Sequence, residues 1–374
     1  MSKPRIEVVG GGLAGMVAAI ECAEQGAEVL LHEARDSLGG RARSTEGPFR
    51  ANFGPHALYK GRSNWVWLVD RNLLPPTGKP AARAIRYRYA GRLRRVPPFV
   101  ALRAFVKLRH EAPLDRDFHG WASGHCGEKA AEILCAWAGP FTFHHDPGSL
   151  SAAFVAERLR WIYSPPSIRY VLGGWGEIVA RMEGRARALG VQIETGSRIE
   201  GLPAPPVIVA TELPEARGLL GDPDLSAESG NVLSFDLGLS SRRGDPLAVL
   251  DLDEGMLAEC FPNSAPAGQV LIQSCRGLSP DDDPDEALGR LEALLDSAFA
   301  GWRKREVWRR RQRLVGRTGA VDLPGRSWKD RPAIDRGDGV YVVGDMVAAP
   351  GLLSEVSFTS ASEAARLALR WVDG

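Results

Sequence analysis

Ile6-Glu-Val-Val-Gly-Gly-Gly-Leu-Ala-Gly15 reads as a short apolar strand that breaks into a glycine turn and resumes as a helix, with Gly10, Gly12 and Gly15 in GxGxxG spacing. Each glycine has a physical task. Gly10 makes the tight turn, Gly12 lets the backbone approach a pyrophosphate, and Gly15 lets helix and strand pack closely, so that the positive helix start faces the phosphate charge. Glu33 closes a second apolar strand, 27–32, at the distance where an acid accepts ribose hydroxyls. An acid there disfavours a 2'-phosphate, so NADP is not expected.

Working outward, Glu33-Ala-Arg-Asp-Ser-Leu-Gly-Gly-Arg-Ala-Arg-Ser44 carries a second glycine pair, Gly39-Gly40, followed by Arg41 and Arg43. A nicotinamide dehydrogenase has no need of these, whereas a longer, bent cofactor needs more backbone approach and cations near its phosphates. At the other end, Gly339-Val-Tyr-Val-Val-Gly-Asp345 is another strand ending in Gly-Asp, followed by Pro350-Gly-Leu-Leu-Ser-Glu355 and a helical pattern over 358–372. One nucleotide site is completed from both termini.

With Asn52-Phe-Gly-Pro-His-Ala-Leu-Tyr59 added, the order of elements resembles the FAD-dependent amine oxidase, protoporphyrinogen oxidase and phytoene desaturase superfamily over nearly the whole chain. The resemblance implies an α/β fold, a Rossmann-like FAD-binding domain of the GR2 flavoprotein type with an inserted α+β substrate domain. The FAD-binding domain would comprise residues 1–60, 168–217 and 322–374, and the substrate domain residues 61–167 and 218–321. It also implies FAD, which the cysteine positions point to as non-covalent. Gly10, Gly12, Leu13, Ala14 and Gly15 would cradle its phosphates, and Glu33, with Ala34 and Arg35, would bind the adenosine ribose. Gly39, Gly40 and Arg41 would lie near the pyrophosphate, Ile199 near the adenine with Ala210 in the same cofactor set, and Gly344 and Asp345 along the ribityl chain. Gly54, Pro55 and His56 would run past the isoalloxazine, with Leu352 and Leu353 at its pyrimidine edge, where the start of the last helix favours negative charge on reduced flavin.

Composition bounds the rest. The chain has 374 residues, 44% hydrophobic and 25% charged, with a formal net charge of +1, which suits a globular enzyme with more than one domain and argues against a general polyanion binder. Cys22, Cys126, Cys135, Cys260 and Cys275 are scattered without a CxxC, so reduced thiols are expected. None lies near 350–355, which speaks against a cysteinyl flavin link. With no signal peptide and no bilayer-length apolar run, the protein is expected in the cytoplasm, with peripheral contact at the inner face of the membrane as an added reading.

Between the nucleotide segments the chain leaves the pattern twice. Residues 84–97 alternate around Ala90-Gly91 and read as a hairpin; 177–189 read as a helix; 191–195 and 207–211 as strands. In the second excursion strands are suggested at 231–239 and 270–275, and a helix at 285–298.

Three constellations admit two readings each. Arg92, Arg94, Arg95, Arg103, Lys107 and Arg109 interleave with Leu93, Val96, Phe99, Leu102, Phe105 and Val106 in a helical pattern, either a membrane-surface patch or a helix packed on its own domain. Trp302-Arg-Lys-Arg-Glu-Val-Trp-Arg-Arg-Arg-Gln-Arg313 has the residue types of a nucleic-acid surface, but it leads back to the FAD domain as a strand with one exposed face, and no nucleic acid is expected. His125, Cys126, Cys135, His144 and His145 offer zinc ligands without a compact zinc spacing. No metal is expected, and Trp137, Phe141, Phe143 and His144 are read as core or substrate-pocket residues.

A flavin would accept a hydride while the protein supplies orientation and excludes water. Amine oxidases of this superfamily place a lysine facing the flavin on a substrate-domain strand, and the matching run, Asn231-Val-Leu-Ser-Phe-Asp-Leu-Gly-Leu239, has none. This shifts the reading toward a desaturase or dehydrogenase of a small apolar molecule, isoprenoid- or porphyrinogen-like. A flavin amine oxidase, a redox-neutral isomerase or mutase, and a non-enzymatic binder of lipidated proteins are the alternatives. His56 is the nearest titratable candidate for catalysis. Oxygen, a quinone or a carrier protein would each serve as electron acceptor, and the oligomeric state is left open.

Overall fold

The structure is a computed structural model that describes residues 4–54, 56–80, 84–108, 111–163 and 167–373. Pro55 and Arg109, both named above, lie outside the described residues.

The β-branched and leucine-rich runs near the start form parallel strands. Arg5–Val9 pairs with Glu28–Glu33 on one side and Val207–Val209 on the other, and Gln192–Thr195 and Val340–Val342 close the two edges of a five-stranded sheet. Both faces of such a sheet are covered, which is why its strands are rich in Val, Ile and Leu. On one face the helix Leu13–Glu24 inserts Met16, Val17 and Ile20 against Ile6, Val8 and Leu31, all fully buried. The helices Gly176–Ala188 and Ser354–Asp373 pack beside it.

A second sheet of seven strands runs in the order Glu306–Ala320, Ser229–Ser240, Gln269–Gly277, Met256–Phe261, Ala248–Asp251, Ile85–Tyr89, Arg92–Arg94. Ile85–Tyr89 comes from the first excursion and lies parallel to Ala248–Asp251 from the second, so both excursions build one sheet. The helix Pro284–Ala298 covers one face through Leu291, Leu294 and Leu295. Phe99–Lys107, Glu128–Thr142 and Ala152–Tyr163 gather around the apolar core against the other. A small antiparallel sheet of Leu58–Tyr59, Ile168–Val171 and Thr77–Gly78 lies where the chain crosses between the bodies.

Two boundaries differ from those expected. The excursion expected from residue 61 starts later, because Ser63–Asp70 is a helix whose Trp67 and Leu68 enter the nucleotide-side core. Trp67 Nε1 donates to Glu21 (2.7 Å), its ring meets Phe358 edge-on, and Arg71 donates to Glu24 (3.0 Å). Its tryptophans had marked it as a departure, yet they pack on the first and last helices. Likewise the exit expected at 217 falls beyond the helix Leu213–Leu220, since Leu213, Ala216 and Leu225 pack with Val207, Val209 and Val342.

Candidate functional site

The glycine loop has the geometry its spacing demands. Gly10 has φ +109° and its N–H donates to the His32 carbonyl at 2.7 Å; a Cβ there would stand 2.7 Å from the Ala210 carbonyl oxygen. A Cβ on Gly15 would fall onto the Gly10 carbonyl, so the helix can approach only because its third residue is Gly. Gly12 differs: it is extended, and its Cβ direction is open. The helix behind it, starting at Leu13 and Ala14, has no side-chain cap and no acid in its first turn, leaving the first N–H groups free for an anion.

Glu33 ends its strand buried, with Oε2 accepting from Gly11 N–H and Oε1 from Arg35 N–H, each at 2.9 Å. Ionised carboxylate oxygens retain further lone pairs for ribose hydroxyls. Ala34 and Arg35 form the bend after it, and the Arg35 carbonyl accepts from Gly196 at 2.8 Å. Gly39 (φ +104°) donates to the Gly11 carbonyl at 2.7 Å, and the Cβ direction of Gly40 points at Gly12 Cα, 3.4 Å away, so the second glycine pair leans on the first. Arg41 then spans the molecule: Nη2 donates to Asp345 Oδ1 (2.7 Å) and Nη1 to the Arg317 carbonyl (2.6 Å). Gly344 has φ +146° and open space at its Cβ, and its N–H donates to Ser360 in the last helix. Ile199 packs beside Val9, Val207 and Val209. Leu352 and Leu353 precede the last helix rather than opening it: the helix begins at Ser354, Leu353 has φ +50°, and Leu352 N–H donates to Glu355 (2.9 Å).

Past Gly54 the site turns polar in a way the sequence reading missed. The Asn52 carbonyl accepts from Gly54 N–H (3.0 Å), Gln273 Nε2 (3.0 Å) and Arg310 Nη2. Arg310 Nε also donates to Asp236 at 2.9 Å, and Asp236 is fully buried, with Ser234 and Gln273 on its other oxygen. The strand that would carry the lysine thus carries an acid paired with arginine. Burial pushes the Asp236 carboxyl up; the Arg310 charge and the hydrogen bonds oppose this. A signal for Arg310 existed: along Glu306–Ala320 the even-numbered Trp308, Arg310, Gln312 and Leu314 face inward while the odd-numbered Val307, Arg309, Arg311 and Arg313 face solvent. After the short helix Trp302–Arg305, the basic run is one strand read on two faces.

His56 donates through Nδ1 to the Gly54 carbonyl at 2.7 Å and meets Trp175 edge-on at 4.8 Å. A carbonyl only accepts, so Nδ1 carries the proton and Nε2 is left as an acceptor. Burial lowers its pKa to about 4; the Gly54 bond works against this, and Arg41 and Arg310 add to it. His56 is therefore neutral at pH 7, which suits it to fixing geometry rather than moving protons. Arg310 Nη1, Gln273 Oε1 and Trp175 Nε1 are enclosed around the Asn52–His56 segment without a partner. Trp137, read as core or pocket, is core: it is buried against Phe105 and Tyr87.

A sequence family described as an NAD(P)-binding Rossmann-like domain matches residues 8–71. No curated protein matches the chain. Among solved structures, an oxidoreductase from Methanosarcina mazei superposes with a TM-score of 0.78 at 15% identity, covering 96% of this chain and 99% of its own. Cyclohexylamine oxidase from Brevibacterium oxydans gives a TM-score of 0.74 at 16% identity over 100% of both chains. This chain therefore has the fold of these structures. A reduced UDP-galactopyranose mutase shares it, with a TM-score of 0.72 at 16% identity over 99% of this chain and 96% of that one. The residues present fit FAD. The helix start at Gly12 is bare, Gly12 and Gly344 are open, and three buried polar atoms wait without partners on the side where the isoalloxazine would run.

Proposed function

We propose that this chain is an FAD-dependent oxidoreductase that takes a hydride from carbon, a dehydrogenase or desaturase rather than an amine oxidase. The observation that carries it is the Arg41–Asp345 bridge beside an uncapped glycine-loop helix, which has a chemical purpose when a dinucleotide lies between them. Bound flavin supplies the hydride acceptor. The chain does the rest. The Gly12 backbone and helix start hold phosphate, Glu33 accepts from ribose hydroxyls, and Arg41 supplies charge near the phosphates. His56 offers a fixed, neutral Nε2 acceptor beside the ring. The Asp236–Arg310 pair in place of a strand lysine removes the group that would serve an amine substrate. Phe49 stacked on Trp308 (5.5 Å) and Tyr170 set edge-on to Phe261 (5.1 Å) pack together as an apolar cluster under the Asn52 segment. No cysteine lies in residues 343–360, which suits FAD held without a cysteinyl link.

The first test is the visible spectrum of the purified protein, followed by denaturation and identification of what is released. Oxidised-flavin bands with free FAD support the reading; a colourless protein that takes up no added FAD overturns it.

The same reading includes docking on an anionic bilayer surface. In the helix Phe99–Lys107, Ala101 and Ala104 are buried while Phe99 (73% exposed), Leu102 and Val106 face outward, flanked by Arg103 and Lys107. Val96, Leu93, Arg92, Arg94 and Arg95 extend the same exposed, basic surface, the composition an interfacial helix needs. Among the described residues no helix is long and apolar enough to cross a membrane.

A further inference from the structure

Arg158 sits mid-helix in Ala152–Tyr163 and is only 4% exposed. Its guanidinium lies 3.5 Å above the Phe154 ring, its Nε is sealed without a partner, and among the described residues no hydrogen bond or ion pair reaches it. Buried arginines are ordinarily paired, because an uncompensated interior charge is costly. Of the two carboxylates within electrostatic reach, Asp322 accepts instead from Arg331 at 2.8 and 2.9 Å, and Glu157, the preceding residue of the helix, forms no ion pair with Arg158 among the described residues. Burial and the neighbouring Arg331 charge lower the Arg158 pKa, to about 9, so it stays protonated at neutral pH.

Its location gives this charge a use. One turn along, Trp161 stacks under Arg62, the residue that holds Glu355 beside Leu352 at the start of the last helix. Tyr59, on the crossing strand, lies within electrostatic reach of Arg158, Glu259 and Glu355 together. Arg158 thus belongs to the junction between the two bodies, on the Leu352–Leu353 side of the candidate flavin site. We infer that Arg158 is the receptor for an anionic group, a carboxylate or phosphate, on an otherwise apolar substrate. Only the identity of the molecule bearing that group rests on the flavin reading above.

The test compares benzoate, phenyl phosphate and neutral benzamide on the purified protein, by flavin difference spectra and, independently of flavin, by thermal shift. Wild type should prefer one of the anions over benzamide by roughly tenfold to a hundredfold, the span of a charge-assisted hydrogen bond; which anion wins identifies the group. Arg158→Met should lose that preference with benzamide binding unchanged, and Arg158→Lys should restore part of it. The Met variant should also melt at or above the wild-type temperature, since it removes an unpaired buried charge. Equal binding of anion and amide by wild type, or an Arg158→Met protein that melts lower yet binds anions as before, overturns the inference and makes Arg158 a structural residue. If the protein holds no FAD but anions still raise its melting temperature through Arg158, the anion site stands and the flavin reading falls.

Discussion

At the residue scale, Gly12 and His56 make the sharpest demands. Gly12 is valuable for the empty space beside it, so Gly12→Val should leave the fold intact and abolish flavin retention, read as the flavin-to-protein absorbance ratio after gel filtration. Asp345→Ala, which removes the partner of Arg41, should lower that ratio severalfold. His56 makes a prediction about pH. Its folded pKa, about 4, lies below the ordinary value of 6.5, so the unfolded chain binds the extra proton between those limits. Its share of stability is complete above pH 6.5 and is lost as pH falls toward 4. Relative to wild type, His56→Asn should therefore gain stability as pH is lowered from 7 to 4.5, measured as the difference in melting temperature; a constant difference would mean that His56 is not buried neutral.

At the scale of elements, the long strands Ser229–Ser240 and Glu306–Ala320 are joined by side chains as well as by their ladder. Asp236 and Arg310 face each other across it, and Arg310 also reaches Asn52 from the nucleotide body. Asp236→Ala leaves Arg310 buried without its counter-charge and should cost about 3–5 kcal/mol, seen as a lower denaturant midpoint, whereas an apolar replacement of both partners should recover much of the loss. The helix Phe99–Lys107 makes the opposite kind of prediction. Phe99→Ser with Val106→Ser should leave folding unchanged, because both side chains face out. It should weaken sedimentation with phosphatidylserine vesicles by about tenfold or more, at roughly 1.5–3 kcal/mol for each buried apolar side chain. Equal sedimentation of variant and wild type would assign that face to another role.

For the molecule as a whole, legibility followed the range of the interaction. Gly10, Gly12, Gly15 and Glu33 could be read because the hydrogen bonds from Gly10 to His32 and from Gly11 to Glu33 lie within one strand-helix-strand unit, where spacing along the chain is spacing in space. The hairpin about Ala90-Gly91 and the helix ending at Ala298 were legible for the same reason. What escaped depends on distant pairing. Trp67 looked like the start of an insertion until its contacts with Glu21 and Phe358 placed it in the first core. Arg310 disappeared into a basic run because only strand pairing tells which arginines face in. Arg158 gave no signal, since what sets it apart is the lack of a partner, and no local pattern encodes that.

The bridge between Arg41 and Asp345 joins turns 304 residues apart beside a sheet whose strands come from residues 5–33, 192–209 and 340–342. During synthesis the glycine loop leaves the ribosome long before the strand that completes its sheet and the carboxylate that closes the site. The nascent protein must keep an unfinished nucleotide sheet from pairing with other chains throughout translation, a hazard of late-closing topologies. A dinucleotide would find its site whole only once Asp345 has emerged.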